Sequence, residues 1–247
     1  MNPGNLIIMD TAEELYVRAA EEIAHFAGEA ICTHGEFTLC LTGGSTPASV
    51  YELLATRFHL SVDWKEVQFF WGDERCVPPD DKASNFGMAN RTMLSRLALR
   101  PEQIHRMRGE DAPEQAAAQY ESELRSFLMQ EESNNLPSFH LMLLGLGDNA
   151  HIASLFPHHL ALHETNRLAV AVEVPAEPGR RISLTMPVIN NSQRVIFIVS
   201  GKGKAEAVSN VLQGPHDPEQ YPAQFVKPES GEVVWLIDRA AASLLKS

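Results

Sequence analysis

Four apolar runs in this chain each stop at a glycine turn. Residues 37–42 lead into Gly43-Gly44-Ser45-Thr46-Pro47, and 67–71 into Gly72-Asp73-Glu74-Arg75. Residues 139–144 lead into Gly145-Leu146-Gly147, and 195–199 into Gly201-Lys202-Gly203-Lys204. Short apolar runs bounded by turn residues predict buried strands. Further strands are predicted at 6–9, 168–174, 182–185 and 233–237. Helical patterns lie between them. Thr11-Ala12-Glu13-Glu14 has the form of a capping box opening a helix towards Gly28. Pro47 suits the start of a second helix, and a third begins near Ser84. Residues 112–128 place Ala117, Tyr120, Leu124, Phe127 and Leu128 on one face. Another helix runs from Lys204 to about Leu212, and Asp238 is placed to cap a short final one. Strands alternating with helices predict an α/β fold whose mainly parallel sheet is covered on both faces.

The chain has 247 residues, room for one large α/β domain or two small ones. The turn-rich stretches 133–137 and 215–222 are too short to mark a boundary, so the expectation is a single domain over 1–247. A net charge of -12 makes nucleic acid and anionic membranes poor partners. A small anionic substrate would need a local basic pocket. Cys32, Cys40 and Cys76 fit neither a zinc ribbon nor a CxxC motif and suggest a reducing compartment. Residues 6–9 are too short for a signal-peptide core, and no stretch reaches membrane-spanning length. The expected location is the cytoplasm.

Carboxyl ends of parallel strands share one edge, so the four glycine turns should converge there. Gly43, Gly44, Ser45 and Thr46 offer backbone N–H groups and hydroxyls at a helix start, an anion cradle suited to phosphate. An ordinary tight turn is the plain alternative. Arg75 and Lys204 add positive charge, and Arg180-Arg181 can add more. The turn at 145–157 is expected to start a helix with His151 at its mouth. Histidine is suited to proton transfer near neutral pH, although a satisfied surface histidine is the bland reading. Asp73 and Glu74 supply either an acid or base, or a turn in which one carboxylate holds Arg75. His158, His159 and His163 include an i, i+4 pair, but no carboxylate or cysteine accompanies them, so a surface cluster is expected rather than a metal site. Gly145-Leu146-Gly147-Asp148-Asn149-Ala150 fits a dinucleotide fingerprint poorly, because it falls late in the chain, Pro157 limits the following helix, and the acid near the required distance, Glu164, sits in a His-rich loop and not at a strand end.

Taken in order, several motifs resemble the 6-phosphogluconolactonases, a family related to the glucosamine-6-phosphate deaminases. They include residues 41–47, 70–79 with Ser84-Asn85, and 144–147 with 151–157. They continue through 181–187, 201–205, Pro222-Ala223 and 235–241. The resemblance implies a Rossmann-like three-layer α/β/α fold and hydrolysis of 6-phosphoglucono-δ-lactone to 6-phosphogluconate in the oxidative pentose phosphate pathway. It implies His151 as general base, Arg75 and Lys204 as phosphate contacts, and no metal or organic cofactor. The expected site therefore joins His151 and Asn149 to a phosphate-holding set of Gly43, Gly44, Ser45, Thr46, Asp73, Arg75, Arg181 and Lys204. Backbone N–H groups near Gly43-Gly44 or Gly145–Gly147 are candidates to steady an oxyanion. The expected partner is a phosphorylated sugar lactone, and the expected assembly a monomer or homodimer.

The chain departs from the family at one place. Asp-Gly usually precedes this histidine; here Asn149-Ala150 does. Asn149 keeps an acceptor without the charge, and Ala150 adds a methyl where glycine permits φ > 0. Two alternatives therefore stand beside the hydrolase: a sugar-phosphate-binding homologue without catalysis, and a sugar-phosphate isomerase or deaminase.

Overall fold

The computed structural model describes residues 5–128 and 136–246; the predicted turn at 133–137 lies partly outside them. The strands are β1 (Asn5–Met9), β2 (Phe37–Leu41), β3 (Val67–Trp71), β4 (Asp73–Arg75), β5 (Leu141–Leu144), β6 (Ala169–Glu173), β7 (Arg180–Leu184), β8 (Arg194–Val199) and β9 (Glu232–Asp238). The α-helices are α1 (Ala12–His34), α2 (Ser45–Thr56), α3 (Asn85–Thr92), α4 (Pro113–Leu128), α5 (Met186–Asn190) and α6 (Ala205–Gln213).

Six strands form one sheet in the order β1-β9-β8-β5-β2-β3, and every pairing in it is parallel. Side chains alternate across it, as the pleat requires. Leu39, Leu41, Leu141, Leu143, Ile196 and Ile198 face one way, into a core shared with α1 and α2. Cys40, Met142, Leu144, Val195, Phe197 and Val199 face the other, into a core shared with α4 and α6. The central strands are apolar on both faces because both are covered. The result is the three-layer α/β/α arrangement.

Three details differ from expectation. Helix α1 passes Gly28 and ends at Gly35, whose φ of 82° lets its N–H reach the Ile31 carbonyl. An exposed glycine costs a helix about 1 kcal/mol against alanine, too little to stop one that buries Ala27 and Ala30 beyond it. The strands expected at 168–174 and 182–185 do not join the parallel sheet. They form β6 and β7, which pair antiparallel with each other and with β4 in a second sheet. Asp238 accepts the Ala241 N–H at 2.7 Å, yet residues 239–244 form a turn and not a helix.

Chain order and sheet order reverse at β2 and β5. The chain leaves β2 outward to β3, then returns to β5 on the other side and proceeds to β8. Connections departing in opposite directions leave a crevice at the strands' carboxyl ends.

Candidate active site

That crevice is a cavity of about 290 Å³. All four glycine turns reach it. Its wall includes Gly43, Gly44, Ser45, Thr46, Asp73, Arg75, Gly145, Gly147, His151, Arg181 and Lys204. Of the residues expected at the site, Asn149 alone is absent from the wall.

The loop carrying His151 is not the helix start that the sequence suggests. Ala150, Ala153 and His158 adopt φ of 62°, 45° and 58°, and left-handed residues cannot propagate a right-handed helix. The loop folds on itself instead. The Gly147 N–H bonds the His151 carbonyl at 2.9 Å and the Ala150 N–H bonds the Gly147 carbonyl at 2.9 Å. This removes the Gly147 N–H from the candidate oxyanion donors. It also explains the glycine: a Cβ on Gly147 would lie 2.0 Å from His151 Nδ1.

Asn149 stands behind the imidazole. Its Oδ1 accepts the His151 backbone N–H at 3.3 Å and lies 2.6 Å from His151 Nδ1. A backbone N–H can only donate, so the shared side-chain atom is the oxygen. Nδ1 must then carry the proton, which leaves the Nε2 lone pair as the basic site. Burial holds the imidazole pKa down to about 4; the Asp73 carboxylate pulls it up, and Arg181 and Lys204 push it lower. At pH 7 the group is a neutral base.

Arg75 and Arg181 are direct cross-strand partners on β4 and β7. Like charges placed so are destabilising. Their hydrogen bonds run to backbone carbonyls, Arg75 Nη1 to Ala83 at 2.7 Å and Arg181 Nε to Pro178 at 3.1 Å. Neither meets a carboxylate in an ion pair among the described residues. Arg75 Nε is buried with no partner there. Such an arrangement is poised for an anion. Arg180 alternates to the other face of β7 and lines a separate depression beside Cys76.

The turn before α2 adds backbone donors. Gly44 has φ 114°, and no side chain caps the helix that begins at Ser45. The first N–H groups of a helix have no intrahelical acceptor, and here they open on the cavity. Lys204 enters from the β8 turn, 2.5 Å from Asp148 Oδ1. With its side chain 81% exposed, Asp148 is bound to the lysine and does not back the histidine.

Asp73 and Glu74 serve as braces. Asp73 is buried, accepting Asn85 Nδ2 at 3.0 Å and Ser154 Oγ at 2.6 Å. The Ser154 bond ties the histidine loop to the arginine strand. Glu74 accepts the N–H groups of Arg75, Asn85 and Phe86 at 2.7, 2.7 and 2.8 Å, and Ser84 Oγ at 3.0 Å. Burial pushes its carboxyl pKa up and these donors oppose the shift. Glu74 therefore holds Arg75 through its backbone and not its guanidinium. Sequence reading missed Ser154 and Asn85. The pair Ser84-Asn85 stood within the motif, but its bond to Asp73 is non-local and left no local signal. Away from the cavity, His158 Nε2 meets Gln220 Oε1 at 3.0 Å and His163 meets Glu219 at 3.1 Å. No cluster of three metal-ligating side chains occurs among the described residues.

This geometry has known counterparts. Residues 10–235 match the family model for glucosamine-6-phosphate isomerases/6-phosphogluconolactonase. The chain belongs to this family. A 6-phosphogluconolactonase of Synechocystis sp. is 41% identical over 219 residues, covering 88% of each chain. A solved structure titled devB protein is 32% identical, covering 98% of this chain and 99% of its own, with a TM-score of 0.89. The 6-phosphogluconolactonase of Trypanosoma cruzi is 26% identical, covering 99% and 97%, with a TM-score of 0.86. No described helix of this family member is long and apolar enough to cross a membrane.

Proposed function

We propose that this family member hydrolyses 6-phosphoglucono-δ-lactone to 6-phosphogluconate, the second step of the oxidative pentose phosphate pathway, with His151 as base. One observation carries the reading: an arginine pair that forms no ion pair among the described residues and an imidazole of fixed tautomer line the same cavity. The substrate phosphate takes the cradle of Gly43, Gly44, Ser45 and Thr46 with Arg75, Arg181 and Lys204. Asp73 and Asn149 support the wall and the imidazole. The phosphate anchor turns a bimolecular encounter into a positioned one.

Chemistry at the other end is proton management. His151 Nε2 removes a proton from water as its oxygen attacks the lactone carbonyl. The oxyanion forms beside the Gly145 turn, whose remaining backbone N–H groups are the candidate donors to steady it. The intermediate then collapses, the ring C–O bond breaks, and Nε2 returns the proton to the leaving oxygen. Proton transfer of this kind contributes about 10²–10⁴-fold. The relatives named as 6-phosphogluconolactonases support the substrate. Free Cys32, Cys40 and Cys76 support a reducing, cytoplasmic setting. The shared flanking of one sheet by both cores supports a single domain, working as a monomer or homodimer.

The purified protein should hydrolyse the lactone faster than buffer alone, and His151→Ala should return it to the spontaneous rate. No acceleration by the wild type would overturn the reading. Asn149 and Ala150 favour a second reading, a binding protein without turnover. That reading predicts phosphate-dependent protection against heat with no acceleration. Ammonia release from glucosamine 6-phosphate would instead mark a deaminase; against this, residues 152–157 carry no carboxylate.

A further inference from the structure

The imidazole of His151 lies flat on the ring of Phe156. Their centroids are 4.0 Å apart and their planes 11° from parallel. Phe156 is five residues on and reaches back because the loop closes on itself. Ile152 and Leu155 form an isolated bridge, and the Leu155 N–H bonds the Ile152 carbonyl at 2.8 Å. Ala153, at φ 45°, makes the corner. The ring itself is buried, 6% exposed.

Three uncharged groups touch the imidazole. Asn149 Oδ1 takes Nδ1, Gly147 abuts the ring, and Phe156 covers a face. The charged groups around it are Asp73, Arg181, Lys204 and Asp148. Of the two acids, Asp148 is paired to Lys204, and both Asp73 oxygens are engaged by Asn85 and Ser154. When Nε2 takes the water's proton, the imidazole becomes a cation that forms no ion pair with a carboxylate among the described residues. The face of a benzene ring is electron-rich and attracts cations within about 6 Å. Arg181 Cζ is 5.7 Å from the same ring centroid, at the outer limit of that range, so a protonated His151 is its nearest cation.

We propose that Phe156 is a positioning residue of the reaction: its face fixes the plane of His151 and stabilises the imidazolium, whose hydrogen-bond partner Asn149 carries no charge. This rests on His151 being the base. The proton balance is unchanged, since the proton passes from water to Nε2 and on to the ring oxygen. Phe156 exchanges nothing.

The test is a fluorination series at position 156, replacing Phe156 by its monofluoro, trifluoro and pentafluoro analogues in the full chain. Fluorine withdraws electron density from the face while nearly preserving shape. The expected result is a graded fall in kcat, roughly threefold to thirtyfold at pentafluoro, with KM nearly constant. The His151 titration followed by NMR should move to lower pH, because an electron-poor face disfavours the cation. A merely loosened site would admit water and move that titration to higher pH. A flat kcat across the series, or a titration moving upward, overturns the proposal. Phe156→Leu provides a second variant and should lose kcat at constant KM while remaining folded by circular dichroism. His151→Ala, run alongside, separates the two claims. Full activity in it removes the base, whereas lost activity with a flat series removes only the role of the ring.

Discussion

The smallest unit that decides this site is the hydrogen bond between Asn149 and His151. A neutral acceptor sets the tautomer but does not favour the charged imidazole. Asn149→Asp would add a negative charge at 2.6 Å from Nδ1. An opposite charge at that range shifts a pKa by roughly one to three units. Because the carboxylate favours the protonated form, the His151 titration should rise from about 4 towards neutrality. NMR titration of wild type beside the variant checks this, and an unchanged midpoint would count against the assigned contact. The same variant should raise kcat at pH 8, where the stronger base is still neutral. Ala150 is a separate matter. Its left-handed φ of 62° costs about 1–2 kcal/mol, while its buried methyl returns about 0.8 kcal/mol. These nearly offset, which is why alanine is tolerated. Ala150→Gly should change unfolding free energy by less than about 1 kcal/mol, as read by urea titration. Gly147 has no such latitude. A methyl 2.0 Å from Nδ1 must displace the imidazole, and a misplacement near 1 Å costs about 100-fold. Gly147→Ala should therefore lose that much kcat while keeping its Tm.

At the level of elements, the cost of the site falls on the β4–β7 pairing. Two buried or half-buried guanidiniums sit opposite each other, and neither forms an ion pair among the described residues. Folding gains from this only the two hydrogen bonds to backbone carbonyls and the Arg181 contact with Phe156, set against the repulsion. Arg181→Met keeps the buried stem and removes one charge, so the empty protein should melt no lower than wild type. Inorganic phosphate should raise the wild-type Tm, as any ligand of the native state does, and should raise that of the variant less. Hydrogen bonds to charged groups contribute about 1.5–3 kcal/mol, so KM should increase about 10- to 100-fold. Thermal melts with and without phosphate, together with initial rates, test both halves. This small sheet is also where sequence reading stopped short. A three-residue strand such as Asp73–Arg75 is too brief to show a period, and its pairing with β7 spans about a hundred positions of chain. The glycine turns were legible because strand, glycine and helix start are neighbours in sequence. The fold-back that places Phe156 on His151 was not, because it depends on φ values that two alanines adopt against their preference.

Across the whole molecule, the order of the parallel sheet brings four distant turns to one edge, and that much was readable from the apolar runs and their glycines. What the pattern could not supply was the occupancy of each donor: which arginine is unpaired, which lysine is held, and which amide is already used. Two histidines near the ends of β5 give the molecule a pH signature. Burial holds His140 and His151 each down to about 4. A histidine whose folded pKa lies below its unfolded value is protonated more readily in the unfolded chain. Stability is thus fully present above about 6.5 and declines as pH falls towards 4. Urea midpoints measured from pH 7.5 to 4.5 should fall on acidification, and His140→Gln should flatten part of that slope.

The switch between β2 and β5 has a metric consequence. The cradle grows from the end of β2, the base from the end of β5, and these strands are hydrogen-bonded neighbours. Their separation is as rigid as the sheet. The crevice is therefore a ruler, and it measures how many carbons lie between a phosphate and a carbonyl. A phosphorylated lactone one carbon shorter should still dock its phosphate, competing as an inhibitor, yet leave its carbonyl short of Nε2 and outlast the enzyme's attack.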